Sequence, residues 1–204
     1  MDQLVVKKVS VVRGKKIVLS NLNMSFSFGE LVAIQGNNGS GKSTFLDAVA
    51  GLISLTEGEI FVEGKPLSQL SYSDRASFIS YVPSRKTTAA ALEVKTAIAV
   101  GDVFGRKMSR VEEAIQKFNL NELQNNLLTE LSDGEYQRVQ LARVWVQDTP
   151  IVLLDEPAAH LDATSRENLF AELLKWAEGD NKLVIVCSHE LHLNKQFASR
   201  IIQF

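Results

Sequence analysis

The sequence predicts an α/β protein with a parallel sheet covered on both faces and a helical stretch inserted between its strands. Three observations carry that prediction. Short, continuously apolar runs recur at 31–34, 151–154 and 183–187, as expected of strands buried on both sides. Helix-compatible segments alternate with these runs. Polar residues able to do chemistry follow the carboxyl end of each run, where open α/β sheets hold their ligands.

Taken in order, residues 3–35 read as strands. Leu22, Met24, Phe26 and Phe28 alternate with polar residues, the period of a half-buried strand. The run 31–34 leads into Gly36-Asn37-Asn38-Gly39-Ser40-Gly41-Lys42-Ser43-Thr44, and a helix over 44–50 follows. This is G-x-x-x-x-G-K-[ST] in its strand–loop–helix context, a phosphate-binding P-loop. Its glycines let the backbone curl so that several N–H groups face one centre, and the helix N-terminus adds partial positive charge there. Lys42 is placed to reach the β- and γ-phosphates, and the Ser43 hydroxyl to ligate Mg²⁺. Residues 58–64 read as a strand with glycine turns at both ends. A short helix near 73–77 precedes a strand at 78–82, which Pro83 stops. Residues 84–91 read as a loop entering a helix.

From about 93 to 147 the pattern is helical. Ser109 with Glu112 forms a capping-box pattern, and Val111, Ala114, Ile115 and Phe118 then share one face. A polar connection over 119–128 leads to Leu131-Ser132-Asp133-Gly134-Glu135 and a helix from 136 to about 147. The strand 151–154 ends in Asp155-Glu156-Pro157. Thr164 with Glu167 is a second capping-box pattern, opening a helix that turns Leu169, Leu173 and Leu174 inward. The strand 183–187 ends at Ser188-His189, and a last helix and the strand 201–204 close the chain.

Composition narrows the classes. The 204 residues are 45% hydrophobic and 23% charged, with a net charge of −2, which fits one globular domain and gives no electrostatic reason to expect nucleic acid. No apolar run approaches the roughly 20 residues that span a bilayer. Cys187 is the only cysteine, so no internal disulfide forms, and Met1-Asp2-Gln3-Leu4 carries no secretory pattern. A cytoplasmic chain is expected, with room for peripheral attachment to a membrane protein.

The second half of the site follows from position. Asp155 at a strand end reads as the carboxylate that holds Mg²⁺ through water. Glu156 points to the other side and can polarise a water for in-line attack on the γ-phosphate. His189, at the end of the next strand, can touch the γ-phosphate or steer that water. His160 and His192 read as structural, as do Cys187 in its strand and Trp145 and Trp176 in their helices.

Residues 131–139 resemble the LSGGQ-type signature of ATP-binding cassette (ABC) ATPases. The order of P-loop, signature, 151–157, His160-Leu161-Asp162 and His189 is similar to the order in that family, over essentially the whole chain. The resemblance implies a P-loop NTPase (RecA-like) core with an antiparallel β lobe and an inserted α-helical lobe at about 84–147, in a single nucleotide-binding domain over 1–204. It implies a homodimer that sandwiches ATP and Mg²⁺, in which Ser132, Gly134 and Glu135 contact the γ-phosphate on the opposite P-loop and Asp162 crosses the interface. It further implies a separate membrane permease as partner, at the inner face of the cell membrane. Residues 94–101 resemble a segment of importer ATPases for iron–siderophore, haem or cobalamin uptake, and the loop from 84 to about 92 is the expected coupling surface.

Three departures from that pattern stand out. Ser84 occupies the place of a glutamine after Tyr81-Val82-Pro83, and a mispositioned group costs on the order of 10²-fold in rate, so slow or partner-dependent turnover is expected. Arg13 occupies the place of the aromatic that stacks on adenine, and a guanidinium plane also stacks on a base. Asp133 and Glu135 stand where glycine and glutamine are usual, adding negative charge near a triphosphate. The expected function is an ATP-hydrolysing transporter subunit. The rival readings are a soluble ABC switch ATPase and a degenerate cassette with little hydrolysis.

Overall fold

The computed structural model describes residues 3–84, 91–103, 105 and 108–204. The chain begins with β1 (Leu4–Arg13) and β2 (Lys16–Phe26), a hairpin whose tip is Gly14-Lys15 and whose last pair is Arg13 with Lys16. β3 (Leu31–Gln35) feeds the P-loop and α1 (Lys42–Val49). β4 (Glu57–Val62) and β5 (Lys65–Pro66) complete a four-stranded antiparallel sheet in the order β2-β1-β4-β5. The strand expected over 58–64 thus ends at Val62, where Glu63 and Gly64 turn with positive φ into β5.

After α2 (Tyr72–Phe78) come β6 (Ile79–Val82), α3 (Val94–Ala99), α4 (Met108–Lys117) and α5 (Asp133–Gln147). Then follow β7 (Ile151–Asp155), α6 (Ala163–Leu174), a π-helical turn (Lys175–Gly179), β8 (Leu183–Cys187), α7 (Leu191–Phe197) and β9 (Arg200–Gln203). The second sheet has five strands in the order β6-β7-β8-β3-β9, every neighbouring pair parallel. The expected α/β class, with an antiparallel sheet and helices inserted between β6 and β7, is what the chain adopts.

The continuous apolar strands are explained by two cores, one on each side of the parallel sheet. Ile34, Leu153 and Ile185 face a core shared with α1 and the antiparallel sheet. Their neighbours Ala33, Val152, Leu154, Val184 and Val186 face a second core with α5, α6 and α7. A third core binds α3, α4 and α5 together through Val94, Ile98, Val111, Ala114, Ile115 and Val139. α5 therefore belongs to two cores at once. Gly101 sits where a side chain could not, since a Cβ there would lie 2.3 Å from the Arg143 carbonyl oxygen of α5.

α5 starts at Asp133, three residues before the expected start, with Ser132 as its cap, and both helices expected to open on capping boxes start elsewhere. α4 begins at Met108, so Ser109 lies inside the helix rather than capping it. α6 is capped by Asp162, whose carboxylate accepts from the Ser165 backbone N–H at 3.0 Å and from its hydroxyl at 2.6 Å. Both Asp162 and Thr164 are competent caps by composition, and the chain's exit from β7 selects the earlier one. Leu169 and Leu173 are buried as expected and Leu174 partly so, while Phe170 joins them in the core. Most of the expected coupling loop, at 85–90, lies outside the described residues. Among the described residues no helix is long and apolar enough to cross a membrane.

The helical insertion is tied to the sheet by charge as well as by packing. Asp148, in the left-handed turn after α5, accepts from Arg110 of α4 and from Lys182 Nζ beside β8, the latter at 2.6 Å. Arg110 also stacks on Trp145, with 4.3 Å from its guanidinium carbon to the ring centre. Lys117 reaches Glu172 of α6 at 2.7 Å. Replacing Asp148 by alanine leaves two largely buried cations without this carboxylate. Urea unfolding of Asp148→Ala is expected to show a loss of about 1–3 kcal/mol, with Lys182→Ala losing less because only one of the two pairs is removed.

Candidate functional site

The parallel sheet places four loops side by side at one edge. Along β6-β7-β8-β3 the carboxyl ends lead in turn to Ser84, Asp155-Glu156, His189 and the P-loop. β9 ends beside them, where Phe204 lies against the loop. A Cβ on Gly36 would come within 2.6 Å of the Phe204 carbonyl oxygen and 2.8 Å of Ser40 Oγ, so this position must be glycine.

The P-loop has the expected form. Gly41 caps α1 at φ 110°, a left-handed conformation that a side chain would strain. Asn37, Asn38, Gly39 and Ser43 are exposed, and Gly36 and Ser40 are half-buried, while Gly41, Lys42 and Thr44 are buried. Lys42 Nζ donates to the Gly36 carbonyl at 2.8 Å and to the Asn37 carbonyl at 3.1 Å. The ammonium thus spans the concave loop, and an incoming phosphate can exchange with those carbonyls without leaving it unpaired. The first-turn N–H groups of α1 have no intrahelical acceptors and face the same hollow.

Asp155 is 2% exposed, and among the described residues its Oδ1 has no hydrogen-bond partner. Ser40 Oγ is likewise buried without one. Buried polar atoms in native proteins are paired almost without exception, so an orphaned carboxylate oxygen beside a phosphate loop marks a place for a ligand. Among the described residues no cluster of three or more His, Cys, Asp or Glu could hold a metal. A single carboxylate and a serine instead match Mg²⁺ that arrives on phosphates, keeping water in its remaining positions.

Glu156 turns away from Asp155 because its backbone is left-handed, at φ 53°. That conformation is rare for a residue with a full side chain and is fixed here by its N–H, which donates to the Cys187 carbonyl at 2.9 Å. The Glu156 carboxylate consequently meets His189, with 3.1 Å between Oε1 and Nε2. Burial raises its pKa above the ordinary glutamate range. His189 and Lys42 pull it back down by their charge, and Asp155 pushes it up. The expected side chains Lys42, Asp155 and His189 are therefore all within electrostatic reach of Glu156.

The remaining candidates form a second group. Ser132 caps α5 and accepts from the Glu135 N–H at 3.4 Å, while Glu135 Oε2 accepts from the Ser132 N–H at 2.9 Å and its hydroxyl at 2.7 Å. The Ser132 hydroxyl bond, followed by the backbone one, holds the Glu135 carboxyl below its usual range. Gly134 faces the next loop, since a Cβ there would lie 3.3 Å from the His160 carbonyl oxygen. Asp162, exposed, keeps its carboxyl low through the Ser165 hydroxyl. Arg13 lies at the hairpin tip, where its guanidinium pairs with Asp47 of α1 at 3.2 Å. Ser84 is exposed after β6, while His160 and His192 are exposed and Cys187 is buried.

Sequence reading passed over Asp47 and Tyr81. The signal was present, because Asp47 is the one acidic residue on a helix whose other side chains are nearly all buried, and such a carboxylate needs partners.

Comparisons with known proteins identify the family. Residues 19–159 match the family described as ABC transporter. A hemin import ATP-binding protein of Pseudomonas fluorescens is 32% identical over 200 residues, covering 93% of this chain and 78% of that one. A macrolide export ATP-binding/permease protein of Mannheimia succiniciproducens is 33% identical over 196 residues, covering 91% of this chain and 30% of that one. Among solved structures, a dimeric post-hydrolysis ATP-binding cassette bound to ADP and Pi superposes with a TM-score of 0.89 at 28% identity, covering 98% of this chain and 94% of that one.

A triphosphate seated on the P-loop should stabilise the fold by about 2.7 kcal/mol at a hundredfold excess over its Kd. Thermal unfolding with and without Mg-ATP is expected to show that rise for the unsubstituted chain and to lose it in Lys42→Met.

Proposed function

The chain belongs to the ABC transporter family as an ATP-binding, ATP-hydrolysing subunit, and on that premise we propose that two copies close on ATP beneath a separate membrane permease. The observation that carries this reading is the pairing of Glu156 with His189 at 3.1 Å, just beyond the ends of β7 and β8, of which β8 adjoins the strand that feeds the P-loop. A degenerate cassette would have no use for a carboxylate held against a histidine in a strained turn.

The proposed roles follow from the geometry. Lys42 exchanges its two carbonyl partners for phosphate oxygens and neutralises charge as it builds on the γ-phosphate. Ser43, and Asp155 through water, would hold Mg²⁺, which would supply further charge neutralisation on the phosphates. Glu156 orients the attacking water and accepts its proton. His189 holds the Glu156 carboxylate in position and lies beside the γ-phosphate.

Ser132, Gly134 and Glu135 at the start of α5, with Asp162 nearby, serve the ATP held by the partner copy. A helix N-terminus with a serine hydroxyl suits a phosphate, provided the Glu135 carboxylate yields the Ser132 hydroxyl it now accepts from. ATP then favours the closed pair because only that state lets one nucleotide touch both copies. Arg13 meets the base. Ser84, too short to act as a glutamine would at its position, supports slow turnover until the permease is engaged. The subunit is placed at the inner face of the membrane through that partner. Relatives at nearly equal identity serve hemin import and macrolide export, so the cassette supplies the ATP-driven step and the permease sets direction.

Glu156→Gln blocks proton acceptance and should trap the closed state. Light scattering is expected to show a monomer without nucleotide and a dimer with Mg-ATP, and a chain that stays monomeric at saturating ATP would count against the composite site. The pH profile gives an independent check. Glu156 must be ionised to act and its pKa is raised, so activity should fall on acidification at a pH above the ordinary glutamate range. His189 holds that pKa down, so in His189→Ala the surviving activity should show its acid limb at a still higher pH.

A further inference from the structure

Asp47 lies five residues along α1 from Lys42, and both of its carboxylate oxygens are engaged. Oδ1 accepts from the Tyr81 hydroxyl at 3.1 Å, and Oδ2 accepts from Arg13 Nη2 at 3.2 Å. One carboxylate thus joins the tip of the β1–β2 hairpin, the P-loop helix and β6. Lys42, Thr44, Phe45, Leu46, Ala48 and Val49 of the same helix are buried, so a carboxylate among them is costly unless its oxygens are satisfied. Burial, followed by the charge of Asp47, keeps the Tyr81 hydroxyl protonated. It is a permanent donor that fixes one oxygen and leaves the other for the hairpin.

The Arg13 side chain remains 54% exposed while Asp47 is 27% exposed. Its contact with Asp47 runs through a single guanidinium nitrogen, so much of the planar group is open to solvent. The hairpin that carries it is seated on the phosphate loop. The Leu19 side chain and the Val18 carbonyl oxygen would stand 2.9 and 3.0 Å from a Cβ on Gly41. Asp47 is about 7.5 Å along the helix axis from Lys42, at 1.5 Å per residue. The nucleoside end of a P-loop-bound triphosphate is long enough to meet that rim.

We infer that Asp47, oriented by Tyr81, is a positioning residue that holds Arg13 as the platform for the nucleotide base. The inference rests on the nucleotide reading of the P-loop given above. Guanidinium planes stack on bases, and a stack needs its plane held still, which an arginine at a hairpin tip cannot do alone. Asp47 contributes by removing that freedom before the nucleotide arrives. The arrangement also connects base occupancy to the strand leading to Ser84, because Tyr81 lies three residues ahead of it.

The test separates base from phosphate. Competition binding with Mg²⁺ would compare a nonhydrolysable ATP analogue with inorganic tripolyphosphate, which has no base. The unsubstituted chain is expected to bind the analogue more tightly than tripolyphosphate. Asp47→Asn and Arg13→Ala should each weaken the analogue by about fivefold or more, the low end of base stacking, while tripolyphosphate affinity stays unchanged. The double variant should lose no more than either single one, since the two act as a unit. Arg13→Lys, which keeps charge without the plane, should behave as Arg13→Ala. Tyr81→Phe should show the same base-dependent loss with the Asp47 carboxylate intact.

A parallel fall in tripolyphosphate affinity in Asp47→Asn would make Asp47 a structural support of α1 and overturn the proposal. So would analogue binding that is unchanged in Arg13→Ala, or losses that add in the double variant. A chain that binds tripolyphosphate as tightly as the analogue overturns the base platform alone. A chain that binds neither overturns the P-loop reading beneath it as well.

Discussion

A parallel sheet buried on both faces can carry polar chemistry only where its strands end. β3, β7 and β8 are apolar and buried along nearly their whole lengths, so no functional side chain can project from their middles. The P-loop, Asp155-Glu156 and His189 therefore collect at one edge, and parallel pairing guarantees that it is the same edge for all of them. Register sets the fine spacing. Asp155 pairs with Cys187, two residues before His189, and that offset lets the histidine reach the carboxylate of Glu156.

The edge is sharpened by strain and by incomplete satisfaction. Glu156 is held left-handed by one backbone hydrogen bond to β8, a conformation that costs about 1–2 kcal/mol for a residue with a Cβ. The reward is that two consecutive carboxylates face different tasks, one buried with an oxygen unpartnered among the described residues, one half-buried against a histidine. Lys42 meanwhile satisfies itself on its own loop. The site is preorganised for an anion and held shut by bonds that the anion can replace.

The helical insertion is attached by a different logic. α5 shares residues with the core beneath the sheet and with the core of the insertion, so its N-terminal Ser132–Glu135 cannot be repositioned without disturbing both. The ion pairs at Asp148 and Glu172 add directional ties around that apolar hinge. At the opposite flank, Asp47 ties the hairpin and β6 to the P-loop helix.

The sequence alone determined the fold class, the order of elements and the candidate site residues, because these depend on short-range signals. Continuous apolar runs imply buried strands, and a glycine-rich loop ending in Lys-Ser implies a phosphate cradle. Helix caps are less legible in the sequence. Thr164 and Asp162 are both competent caps, and only the path of the chain out of β7 chose Asp162. The tertiary structure alone decided which side chains meet. The Glu156–His189 contact depends on the left-handed turn at Glu156 and on the β7–β8 register. The junction of Arg13, Asp47 and Tyr81 depends on bringing together residues 34 positions apart on either side of Asp47. A local pattern cannot encode such contacts, since each arises from the packing of a sheet, a helix and a hairpin that come from distant parts of the chain.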